Sequence, residues 1–113
     1  MNKQSTRYFS SKQEKSVSKA VNGKQVSNSG ATKFNKGDII TDLFLIEAKT
    51  KTEESKSFLL QKEWFDKNRE EAYAMGKPYN ALVFNFGDGD NLYIINERLF
   101  KYLHEKLLEE EEQ

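Results

Sequence analysis

Between Lys36 and Lys51 the chain reads KGDIITDLFLIEAKTK, and no other stretch limits the possible folds so tightly. Apolar and β-branched residues run from Ile39 to Ala48, broken only by Thr41 and Asp42, which predicts two short strands joined by a tight turn. Strand side chains alternate between faces, so Phe44, Ile46 and Ala48 point one way while Leu45, Glu47 and Lys49 point the other. A turn centred on Thr41-Asp42 would set Ile40 opposite Leu43 and Asp38 opposite Leu45. A turn on Asp42-Leu43 would set Asp38 directly opposite Glu47. In either register Asp38, Glu47 and Lys49 share one face of the hairpin. Two carboxylates and an ammonium gathered there, backed by an apolar face, have the character of a site. The plain alternative is a strand-start acid beside an exposed Glu-x-Lys pair worth a few tenths of a kcal/mol.

The remaining chain supplies elements to pack against that hairpin. A helix capped by Ser10 or Ser11 is expected to run to about Val21 and to stop at Asn22-Gly23, with Val17, Ala20 and Val21 as its buried stripe. Glu14 falls on the same stripe, where an acid needs a cation, a metal ion or a backbone donor; Ser11-x-x-Glu14 equally fits a capping box. A short strand is expected at Lys24–Ser27 within a turn-rich segment. Leu59, Leu60, Trp64, Phe65, Asn68, Ala72 and Met75 predict a second helix over about Gln61–Met75, ended by Gly76 and Pro78, with Trp64 in the core. Two strands, Ala81–Phe86 and Leu92–Ile95, flank Gly87-Asp-Gly-Asp-Asn91. That loop has two aspartates of a calcium loop but no downstream glutamate, so it reads as a hairpin turn. Asn96 is placed to cap a last helix with the stripe Leu99, Phe100, Leu103, Leu107 and Leu108; His104 lies on its flank and carries no catalytic expectation. The acidic run after Leu108 opposes the helix dipole, so residues 109–113 are expected to fray.

The pattern predicts an α/β fold, a mixed central sheet flanked by helices, with 1–9 as a flexible arm and 10–108 as a single domain. A chain of 113 residues supports one modest core. It has no cysteine, which excludes a disulfide framework and zinc-thiolate chemistry. No apolar run approaches the length that spans a bilayer, and no signal-peptide h-region is visible; an intracellular, cytoplasmic location is the expectation. Formal net charge is zero but unevenly spread. Residues 1–36 hold eight Lys or Arg against one acid, a net +7, and the remainder is acidic. A basic arm before a carboxylate-bearing hairpin suits a polyanionic partner.

The ordered set Glu14, Ser29-Gly30, Gly37-Asp38 and Glu47-Ala48-Lys49, with helix, strand, hairpin, helix and strand in that sequence, resembles the core of the PD-(D/E)XK nuclease superfamily. Within it, the likeness is to the small Holliday junction resolvases of archaeal type and their phage-encoded relatives. No proline precedes the acid, which follows Lys36-Gly37 instead. The resemblance spans roughly residues 8–96 and implies a restriction-endonuclease-like αβββαβ core hydrolysing phosphodiester bonds in DNA with Mg2+, or Mn2+ in its place. It implies that Asp38 and Glu47 bind the metal with help from the Ala48 carbonyl and Glu14. Lys49 would activate the attacking water and offset phosphate charge. Lys24, Ser29, Lys33, Lys36, Lys51, Lys56 and Lys62 would hold the DNA backbone, with Gln61 a further contact. A four-way junction is the implied substrate and a homodimer the implied assembly, because symmetric cutting needs two sites. The alternatives are a nicking or repair-type nuclease of the same superfamily, and a non-catalytic DNA-binding adaptor with the same fold.

Overall fold

In the computed structural model, which describes residues 6–25, 38–50 and 56–112, eight elements follow in order. They are α1 (Thr6–Val21), β1 (Lys24–Gln25), β2 (Asp38–Ile40), β3 (Phe44–Thr50), α2 (Lys62–Ala74), β4 (Tyr79–Asn85), β5 (Asn91–Ile94) and α3 (Glu97–Glu111). The strands form one five-stranded sheet in chain order, β1-β2-β3-β4-β5. Every neighbouring pair is antiparallel except β3 and β4, which are parallel. The chain therefore has a mixed α/β fold.

The sheet's topology follows from its connections. The β2–β3 hairpin closes through Thr41, whose Oγ1 accepts from the amides of Leu43 and Phe44 at 3.1 and 2.8 Å while its own amide donates to the Phe44 carbonyl at 3.0 Å. This local hydroxyl turn leaves Asp42 and Leu43 exposed and selects the register with Asp38 opposite Glu47. Parallel strands cannot be joined by a tight turn, and α2 supplies the crossover from β3 to β4. Helix α2 ends in a Schellman motif: Gly76, at φ 73°, donates to the Tyr73 carbonyl and Lys77 donates to that of Ala72. The β4–β5 turn is held by Asn85 and Asp88 side chains accepting from the Gly87 and Asp90 amides. It is the hairpin expected from the sequence.

Alternation along the strands sorts two faces. Val17 of α1 packs with Ile39, Ile46, Ala81 and Val83 on one face, with Val21, Phe44, Ala48 and Ile95 at its margin. At roughly 25 cal/mol per Å2, burying such side chains stabilises the fold by about 1.5–3 kcal/mol each. Leu45, Leu82 and Phe84 lie on the other face, beneath α2. There Asn68 joins the layers, donating to the Leu45 carbonyl at 3.5 Å and accepting from Asn80 Nδ2 at 2.8 Å. Gly23 fits where a side chain would not: a Cβ there would stand 2.7 Å from Ile39 Cγ2, while Asn22 takes the left-handed turn at φ 53°.

Several expectations need correction. Helix α1 begins at Thr6, so residues 6–9 belong to it; with no glycine or proline before Asn22, the cap signal at Ser10 and Ser11 is overridden. The inward polar residue of α1 is Gln13, whereas Glu14 is half-exposed and Ala20 is exposed. Helix α2 runs between its caps Gln61 and Met75 as expected, but Leu59 and Leu60 stay exposed ahead of it. Helix α3 continues to Glu111 through the acidic run, because glutamate is a strong helix former. Its stripe is not buried: Leu99 alone reaches the core, and Phe100, Leu103, Leu107 and Leu108 face outward. Among the described residues, no helix is long and apolar enough to cross a membrane.

Candidate functional site

Asp38 and Glu47 face each other across β2 and β3, on the side of the sheet covered by α2. Asp38 is fully buried and Glu47 is 7% exposed. Two like charges at cross-strand distance repel, and burial strengthens the repulsion by removing water. Lys49, two residues along the same strand face, brings its ammonium to 3.3 Å from Glu47. The same ammonium lies 4.3 Å from the centre of the Trp64 ring. Lys49 is thus held between a carboxylate and an aromatic face, which restricts a side chain that is otherwise long and mobile.

Helix α2 contributes more to this face than the sequence pattern suggests. Trp64 is not wholly core: it is half-buried, tilted against Phe84 at 6.4 Å, with Lys49 above it. Phe58 completes the aromatic group, edge-on to Phe84 at 4.3 Å and to Phe86 at 5.4 Å. One turn beyond Asn68 stands Glu71, whose Oε2 is sealed from solvent and accepts no hydrogen bond among the described residues. Burial pushes the Glu71 carboxyl above its ordinary value, the negative charge of Glu47 adds to the rise, and Lys67 partly opposes it. Sequence reasoning missed Glu71, although its spacing was informative: Trp64, Asn68, Glu71 and Met75 recur at i, i+4, i+7 and i+11, the inward stripe of the helix.

The other expected site residues divide by location. Lys24, on β1 opposite Ile40, shares the Asp38 face and is exposed. Lys56 is exposed, and Lys62 is engaged with Asp66 at 2.8 Å. Gln61 precedes α2 as its N-cap and makes no side-chain cap bond. The side chain of Ala48 packs on the α1 side. Glu14 belongs to α1, the helix on that same far side, where its neighbour Gln13 donates to the carbonyls of Lys49 and Val83 at 3.0 and 3.2 Å. Ser29, Lys33, Lys36 and Lys51 lie outside the described residues. The structure therefore gathers Asp38, Glu47 and Lys49, adds Trp64 and Glu71, and sets Glu14 on the opposite layer.

Among the described residues, no three His, Cys, Asp or Glu side chains converge closely enough to hold a metal ion. A closed three-acid cage is thus not formed there. Mg2+, however, binds through one or two carboxylates and completes its shell with water and substrate phosphate. The opposed Asp38 and Glu47 match that smaller donor set. Comparison with protein-family models, with curated proteins and with solved structures returns no match for this chain.

Proposed function

We propose that the protein is a metal-dependent DNA endonuclease that hydrolyses phosphodiester bonds, acting on branched DNA such as a four-way junction. The observation that carries this reading is the opposed Asp38–Glu47 pair with Lys49 fixed beside it. The order α1-β1-β2-β3-α2-β4, with β3 and β4 parallel, also agrees with the αβββαβ core that the resemblance implies.

In this reading Asp38 and Glu47 hold Mg2+, which supplies a polarised phosphoryl oxygen and a water of lowered pKa. The residues do the rest. Lys49, oriented by Glu47 and Trp64, donates to the attacking water or to a phosphate oxygen and offsets charge that grows during attack. Lys24, on the same face, meets the flanking DNA backbone, a contact that positions without reading sequence. A second copy would supply the second cut. The exposed stripe of α3 suits that pairing in antiparallel array, because Arg98 and Lys101 would then face the acidic run Glu109–Glu112.

A second reading is favoured by the complete burial of Asp38: the acids serve the fold, and the protein binds DNA without cutting it. Incubation with four-way junction, duplex and single-stranded DNA, with Mg2+ or with EDTA, separates the two. The nuclease reading expects cleavage of the junction in Mg2+ only, reduced roughly a thousandfold or more in Asp38→Asn and Glu47→Gln while DNA binding persists. Wild-type cleavage rates in either variant would remove the assignment, and EDTA-resistant binding with no cutting would establish the second reading.

A further inference from the structure

Beyond the acidic pair, the structure holds a cavity of about 680 Å3 where the C-terminal end of α2, the start of β4 and the first turns of α3 meet. Arg69, Lys77 and Arg98 line it, and among the described residues no carboxylate does. Like charges around one cavity repel each other unless an anion joins them. Arg69 reaches the Asp66 carboxylate at 3.5 Å, but Lys62 already engages that group at 2.8 Å. Three tyrosines, Tyr73, Tyr79 and Tyr102, line the same cavity. Tyr73 is 87% exposed, a large ring that folding leaves in water. Aromatic rings beside guanidinium groups give a base a face to stack on and its phosphate a partner. The volume lies within the range of small-ligand sites.

We infer that this cavity is a nucleotide-binding site, taking a phosphate on Arg69, Lys77 and Arg98 and a base on the exposed tyrosines. Its unit is one nucleotide, either free or within a single strand. The site is distinct from the Asp38–Glu47 pair: α2 presents Glu71 toward Glu47, and Arg69 and Tyr73 toward the cavity. It needs no metal, so it stands or falls apart from the endonuclease reading.

The test uses the full chain with EDTA present and a labelled single-stranded oligonucleotide of about a dozen bases, followed by anisotropy over a salt series. Replacing Arg69, Lys77 and Arg98 together by Ala should weaken binding about tenfold or more and flatten the salt dependence by about 0.7 for each phosphate no longer neutralised. Tyr73→Ser should weaken it about fivefold or more with the salt slope unchanged, as expected when a base loses its stacking partner. Arg69, Tyr73 and Arg98 are exposed and Lys77 is half-buried, and a thermal melt verifies folding; Arg98→Glu alone, expected to exceed a single Ala in effect, serves if the triple variant is unstable. Competition by AMP would identify the free nucleotide as a ligand, and competition only by unlabelled oligonucleotide would identify the strand. Unchanged affinity and slope in the charge variants would overturn the site. Equal competition by inorganic phosphate, with Tyr73→Ser silent, would overturn its assignment to a nucleotide.

Discussion

At the scale of single residues, the α2 side of the sheet is governed by how its charges are held. Lys49 balances Glu47 and rests on Trp64, whereas Glu71 adds a further acid near Glu47. Because the folded state raises the Glu71 pKa, the folded protein binds that proton more tightly than the unfolded chain does. The contribution of Glu71 to stability is therefore fully present below the ordinary carboxylate range and is lost as pH rises through it toward the raised value. Glu71→Gln should abolish this decline: its Tm should match wild type near about pH 4 and exceed it at neutral pH. Melts at the two pH values check this, and a lower neutral-pH Tm for the variant would show that Glu71 has a favourable partner. The Asp38, Glu47 and Lys49 grouping was legible from strand alternation, since parity alone puts all three on one face. Glu71 and the ring beneath Lys49 were not, because they arrive from a helix whose docking side depends on tertiary contacts.

At the scale of elements, the hairpin and the crossover helix form the working unit. Alternation over Ile39–Ala48 predicted the strands but left two registers open, and the Thr41 hydroxyl turn decides between them. The stops of α1 and α2 at Asn22-Gly23 and Gly76 and the Asn96 cap, whose side chain accepts from the Leu99 amide at 2.9 Å, were readable from turn and capping chemistry. Which polar residue of α1 turns inward was not legible for a definable reason. Positions 13 and 14 both lie near the Val17 stripe, and which one turns inward depends on the carbonyls it meets, here those of Lys49 and Val83. Asn68 ties α2 to β3 and β4 in the same manner. Asn68→Ala should destabilise the protein by about 1–3 kcal/mol, because the buried Asn80 amide loses its acceptor. Chemical denaturation measures this, and a change below about 0.5 kcal/mol, the level of an ordinary surface substitution, would remove that role.

At the scale of the whole molecule, a mixed sheet lies between α1 and α2, and α3 extends away from it with an outward apolar stripe. The sequence pattern anticipated that stripe but not its exposure, since periodicity marks an amphipathic face without naming what covers it. The central proposal for the molecule is that Asp38 and Glu47, opposed across two strands, hold a divalent cation. Thermal unfolding in Mg2+ and in EDTA tests it most directly, because an ion bound only by the folded state stabilises by about 2.7 kcal/mol at a hundredfold excess over Kd. Mg2+ should raise the wild-type Tm by several degrees relative to EDTA and leave the Tm of Asp38→Asn and of Glu47→Gln unmoved. An equal Mg2+ shift in the variants, or no shift in the wild type, would contradict the proposal.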